Sequence, residues 1–188
     1  MRKFLARSMT VAVLATFALP GCDQELVLVT DVYDQPLSTR SLRNYVAETG
    51  GFGLVVVNGP ISPSKAEVER ALAAKIGVTG RPDIKITPTE DRPDANRIVL
   101  VFNPLQGGRM SPERLCSGNI GRVEQQLDPG AMRIYGVVCT SERVVSHAMT
   151  LSYDIPPTDP RFRDVANALS FALFPPHPRG DRADCAFC

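Results

Sequence analysis

Two uninterrupted apolar runs stand out along the chain. Phe52-Gly53-Leu54-Val55-Val56-Val57 and Arg97-Ile98-Val99-Leu100-Val101-Phe102 are rich in β-branched residues and do not alternate with polar positions. Runs of this kind suit strands buried on both faces. Each ends at an asparagine closely followed by proline, Asn58-Gly59-Pro60 and Asn103-Pro104, where no further ladder bond can be donated. Between the runs the period becomes helical. Val68, Ala71, Leu72 and Ile76 share one face, and Gly77 sits where a stop is expected. Either Ser62 or Ser64 opens this helix: Pro63 fits a first helical position, and Ser64 with Glu67 makes a capping box. Ile84 to Thr87 reads as a short strand and Asp91 to Ala95 as a turn.

The second half alternates more openly. Met132 to Cys139 and Val144 to Ile155 form a predicted hairpin around a four-residue loop, Thr140-Ser141-Glu142-Arg143. In its second arm Val145, His147, Met149, Leu151, Tyr153 and Ile155 alternate onto one face, predicted to be the core face, with Ser146, Ala148, Thr150, Ser152 and Asp154 on the wet side. Asp159-Pro160 opens a last helix with Phe162, Val165, Ala166, Leu169 and Leu173 on one stripe, and Pro175-Pro176 closes it. Residues 104–130 are irregular apart from a helical turn at Ser111 to Cys116. Before the first apolar run, Leu26 to Val29 is a short strand or the apolar start of a tether. Asp31 to Ser38 reads as linker, and Ser38 or Thr39 caps a short helix carrying Leu42, Tyr45 and Val46, ended by Gly50-Gly51. The order predicts an α+β two-layer sandwich: a largely antiparallel sheet of four or five strands with two main helices on one face.

The N-terminal pattern differs in kind. Arg2, Lys3 and Arg7 precede an apolar run from Met9 to Leu19, and the block ends Leu19-Pro20-Gly21-Cys22. This is the layout of a secretory signal, since a spanning helix needs about 20 apolar residues. The block resembles a bacterial lipoprotein signal, whose lipobox ends in Gly-Cys. The resemblance implies cleavage before Cys22, lipid on its sulfur, and a cell-envelope location facing the periplasm. Asp23 tilts the expectation toward the inner membrane, with the outer membrane as the alternative. The expected organisation is a signal peptide over 1–21, an anchor and linker over 22–50, one α+β domain over 51–176, and a cysteine-containing tail over 177–188.

Removing the signal changes the charge. It takes three of the 21 basic residues, leaving 18 against 20 acidic groups, with no basic run. Neither a nucleic-acid interface nor a polybasic membrane patch is expected. Cys116, Cys139, Cys185 and Cys188 remain once Cys22 is set aside, an even number in an exported chain, which favours disulfides. Cys185 and Cys188 are close enough to close locally, which pairs Cys116 with Cys139.

Candidate chemistry is sparse. His147 is one of two histidines and has no nucleophile signature near it, so a core or interface histidine is the leading reading and a hydrolase centred on it the lesser one. Cys185-Ala186-Phe187-Cys188 has redox spacing, but no helix can follow the second cysteine to lower a thiolate pKa. A tail disulfide is therefore expected ahead of an exchanging thiol pair. Zinc would need two further ligands where only His177 is near, so no metal and no cofactor is assigned.

From Phe52 to Pro176 the body is similar to a group of proteobacterial envelope lipoproteins of no assigned activity. The likeness lies in Val101-Phe102-Asn103-Pro104, the cysteines at 116 and 139, Asp159-Pro160-Arg161-Phe162 and Leu173-Phe174-Pro175. It supports the disulfide and the last helix. The expected function is that of a lipid-anchored accessory or binding protein, not an enzyme, with a protein partner in the envelope; a thiol-active protein using the C-terminal cysteines is the alternative.

Overall fold

The computed structural model describes residues 27–34, 36–59, 64–89, 95–105, 111–120 and 123–176. Among these residues ten elements follow one another: β1 (Val27–Asp34), α1 (Pro36–Thr49), β2 (Phe52–Val57), α2 (Lys65–Lys75), β3 (Ile86–Pro88), β4 (Arg97–Phe102), α3 (Pro112–Cys116), β5 (Ala131–Thr140), β6 (Arg143–Tyr153) and α4 (Phe162–Leu173). The fold is mixed α/β, built on one open six-stranded sheet in the order β1-β6-β5-β4-β2-β3.

Six strands replace the expected four or five, and the sheet is mixed. Strands β1, β6, β5 and β4 pair antiparallel, while β4, β2 and β3 run parallel. The parallel half follows from the helix between the two apolar runs. With α2 as the crossover, β2 and β3 lie side by side in the same direction, which a tight turn could not achieve. The extra strand is β1, which takes up Val27 to Val29, read as a strand or a tether, and runs on into the stretch read as linker; the expected helix is present as α1, but it begins at Pro36, so Ser38 and Thr39 lie inside it and do not cap it. Leu42 and Val46, one turn apart on α1, are buried, and Tyr45 is exposed.

The two apolar runs are β2 and β4 with the bounds expected, and their alternate residues serve two cores. Leu54, Val56, Ile98, Leu100 and Phe102 join Val68, Leu72, Phe162, Val165, Leu169 and Leu173 on the face covered by α1, α2 and α4. Val55, Val99 and Val101 face the other way, with Leu115, Cys116, Tyr135, Val137 and Cys139. Burial on both faces is why these strands show no polar alternation.

Ser64 is the N-cap of α2, so Ser62 is not; the Glu67 carboxylate accepts from the Ser64 N–H at 3.0 Å and from its hydroxyl at 2.8 Å. Pro63 lies outside the described residues, as does most of the Asp91 to Ala95 turn. The short strand starts at Ile86, two residues later than its apolar pattern implied, because Ile84 closes a turn onto the Arg81 carbonyl instead. Asp159 stands two residues ahead of Arg161, the residue flanking α4. Its carboxylate accepts from the Arg161 N–H and guanidinium, both at 2.8 Å, and the Arg161 side chain is the main cause that holds its pKa down at about 2.

The hairpin departs from expectation twice. Thr140 pairs with Arg143, so the turn is two residues, Ser141-Glu142, with Ser141 in the left-handed region at φ 49. Val138 then pairs with Ser146 and Cys139 with Val144, which leaves Val145 as a bulge. Beyond it the expected faces are exchanged. Ser146, Ala148, Thr150 and Ser152 are buried and Tyr153 is exposed, while Val145 at the bulge and Ile155 past the strand are buried as expected. The reason is the closeness of α4. The Ser146 hydroxyl donates to the Leu173 carbonyl at 2.7 Å. On the paired strand, a Cβ placed at Gly136 would lie 3.0 Å from Leu173 and 3.1 Å from Leu169. The helix supplies the volume here, so the strands beneath it carry small side chains.

Candidate functional site

Strand directions divide the sheet into two ends. Asp34, Arg143, Thr140, Arg97 and Phe52 lie at one; Val27, Tyr153, Ala131, Phe102 and Val57 lie at the other. At the first end, on the face away from α4, an open depression of about 710 Å³ is lined by Tyr33, Glu113, Thr140, Glu142, Arg143 and His147 among others.

His147 is the one histidine in its lining. It pairs with Tyr33 on β1 and Val137 on β5. A register shift between Thr30 and Tyr33 brings the Tyr33 ring onto the imidazole, with centroids 5.3 Å apart and planes 19° from parallel. Tyr135 approaches from the neighbouring strand at 5.6 Å and 51°. Histidine thus lies on the face opposite the main core, among aromatic rings. Its Nδ1 is buried and makes no hydrogen bond to any of the described residues.

The wall of the depression is fastened twice. Cys116 and Cys139 form the expected disulfide, with their Cα atoms 5.4 Å apart, and tie α3 to β5. Beside it lies Arg97, fully buried at the start of β4. Its guanidinium donates to the carbonyls of Cys116 at 2.5 Å, Leu115 at 3.3 Å and Ser141 at 3.3 Å. One side chain therefore joins the end of α3 to the β5–β6 turn, using the fork of donors that only arginine offers. Ser111 caps α3, accepting from the Arg114 N–H at 3.2 Å, and so sets the approach of Glu113 to the mouth.

At the opposite end the twin asparagines are both left-handed, Asn58 at φ 53 and Asn103 at φ 47. They hold the loop after α3. Asn58 Nδ2 donates to the Val123 carbonyl at 2.7 Å, the Asn103 carbonyl accepts from the Gln126 N–H at 2.9 Å, and Asn103 Oδ1 accepts from the Arg133 N–H at 2.8 Å. Asparagine tolerates this backbone region and turns its amide to local partners. It ends each strand for that reason as well as for the proline that follows.

Of the candidate site residues, Cys116, Cys139 and His147 share the end of the sheet that carries the depression. Cys22, His177, Cys185 and Cys188 lie outside the described residues. Sequence reasoning missed Arg97, whose signal was a charge heading an otherwise apolar run. It also missed Tyr33, inside a stretch read as linker, and treated Glu142 and Arg143 only as turn. The depression thus combines a stacked pair of rings, Tyr33 on His147, with two carboxylates and a guanidinium in its lining. Among the described residues there is no group of three or more metal-ligating side chains, and no helix is long and apolar enough to cross a membrane. Comparison of the chain with protein-family models, curated protein sequences and solved structures gave no match.

Proposed function

We propose that the chain is a lipid-anchored accessory protein of the bacterial cell envelope, facing the periplasm, which works by binding a partner protein and not by catalysis. The observation that carries this reading is the sequence Leu19-Pro20-Gly21-Cys22, closing an apolar run that is too short to span a membrane and is preceded by basic residues. The aromatic depression supports the binding part. Its imidazole is engaged by tyrosine rings, and its cysteines are joined to each other, an arrangement suited to a rigid recognition surface. We read the layers as a two-layer α+β sandwich, with α1, α2 and α4 on one face of the sheet and the depression on the other. Inner-membrane residence, favoured by Asp23, belongs to the same proposal.

Fatty-acid labelling in a bacterial envelope tests it. Label is expected on the wild type, and Cys22→Ser should accumulate as an uncleaved precursor, because the lipidating and cleaving enzymes read the thiol. A wild type without label, or a serine variant still cut before residue 22, would overturn the lipoprotein assignment. A photo-crosslinker at Glu142 should then capture a partner that the same group at Lys65 does not.

A further inference from the structure

Seven large apolar side chains are well exposed among the described residues, and four of them, Leu28, Leu105, Leu127 and Tyr153, lie at one end of the sheet. The placement is regular. Leu28 is the second residue of β1, where it pairs with Leu151, and Tyr153 is the last of β6. Tyr153 pairs with Ala131, the first residue of β5, and Ala131 bridges Asp128 next to Leu127. Leu105 follows the end of β4 and is held to the same loop through its N–H, 3.0 Å from the Glu124 carbonyl. Leu28 and Tyr153 thus come from the adjacent strands β1 and β6, and Leu127 and Leu105 from the loops that flank β5 and β4, so that one apolar residue lies beside each of four neighbouring strands, which at about 4.8 Å per strand span roughly 14 Å.

The chain begins its path through the sheet at this same end. Only Asp23 to Leu26 separate Cys22 from Val27, and the five Cα steps from Cys22 to Val27 span at most about 18 Å. A lipid on Cys22 would therefore hold this end, and not the end with the depression, within one short tether of a bilayer.

We infer that Leu28, Leu105, Leu127 and Tyr153 form a rim that seats in the interfacial layer of the membrane. The inference rests on lipidation of Cys22. Leucine and tyrosine suit that layer, where apolar bodies sink and a phenol stays at headgroup level. Glu124 and Asp154 flank the rim, so the surface it fits is a zwitterionic one, and the contact is apolar rather than electrostatic. Seating fixes the orientation of the domain. Six residue steps along β6 lead from Tyr153 to His147, which places the depression about 20 Å further from the bilayer, turned toward the periplasm.

The chain has no tryptophan, so single reporters can be read cleanly. Tyr153→Trp and Glu142→Trp are made in the lipidated protein, reconstituted in vesicles of phosphatidylethanolamine and phosphatidylcholine with brominated acyl chains. The expected result is a blue-shifted emission at 153 that loses most of its intensity to the bromolipid, and an unquenched emission at 142. In Tyr153→Trp carrying Leu28→Ser, Leu105→Ser and Leu127→Ser, quenching should fall to the level seen at 142. Equal quenching at the two positions, on protein that carries the fatty-acid label, would overturn the rim while leaving the lipoprotein reading intact. A blue shift without quenching would mean that a protein surface covers the rim, and would also overturn it. Where no label is found, the mature chain held by a histidine tag at residue 22 on chelating lipid gives the same comparison, and there too loss of the difference refutes the rim.

Discussion

The Cys116–Cys139 bond is the feature whose removal can be stated most quantitatively. The two residues are 23 apart in sequence, and closing a loop of that length lowers the entropy of the unfolded chain by an amount worth about 3.4 kcal/mol at 25 °C. For a chain of this size each kcal/mol moves Tm by about 2–4 °C, so loss of the bond should lower Tm by roughly 7–14 °C. The bond has neighbours that limit the damage to stability and not to folding outright. Arg97 still grips the Leu115 and Cys116 carbonyls, so α3 keeps its place on β5 once the chain has folded. Thermal unfolding of the wild type with and without reductant measures the bond without creating a cavity. Cys116→Ala/Cys139→Ala, measured the same way, should melt low in both conditions and show no response to reductant beyond that of the C-terminal cysteines. A double variant that melts with the oxidised parent would refute the reasoning and leave both cysteines as ordinary buried side chains.

Arg97→Met should destabilise by about 3 kcal/mol or more in urea unfolding, because the buried carbonyls of Leu115 and Cys116 lose their donor together, and the Ser141 carbonyl at the turn loses its tie to them. Arg97→Lys should recover only part of this, since an ammonium cannot fork between two segments. At Gly136 a valine must displace Leu173 and Leu169, and a loss of about 1–3 kcal/mol with Gly136→Ala milder is expected in thermal melts; an unchanged melt would mean that α4 yields freely. Asp159 has a pKa lowered from 3.8 to about 2 by Arg161, so its contribution is present above the ordinary carboxylate value and disappears as pH falls through the folded one. The difference in Tm between wild type and Asp159→Asn, measured down an acid series, should therefore shrink between about pH 4 and about pH 2.

The parts of the fold visible in the sequence are those where one physical effect dominates. Strands β2 and β4 declare themselves because two-sided burial leaves no polar positions, and α2 because Ser64 and Glu67 mark its start chemically. The cysteine pairing was legible for a similar reason, as four thiols offer few arrangements. Strand β1 was legible only as one of two readings of Leu26 to Val29, and its second half not at all, since an edge strand that runs on into polar residues resembles a tether until its partner β6 is known. The faces of β6 were misread because alternation reports which residues are apolar, not which layer needs volume. A helix lying close on glycine, serine and alanine reverses the usual association of large with inside. The depression around His147 was legible only as a lone histidine. Its other members come from β1, α3 and the hairpin turn, and only a register shift and a bulge bring them together.

The order of the strands also sets the order of assembly. The first strand of the sheet, β1, has a single neighbour, and that neighbour is β6, the last strand made: Val27 meets Ser152. However early β2, α2 and β3 take shape as a local unit, the N-terminal strand has nothing to pair with until nearly the whole domain is out of whatever machinery delivers it. Contacts so distant along the chain close slowly, and they leave an unpaired, apolar strand exposed in the meantime. The strand nearest the N-terminus is thus the last to find its place, and a truncation that removes β6 should strand β1 without a partner even if the central core survives.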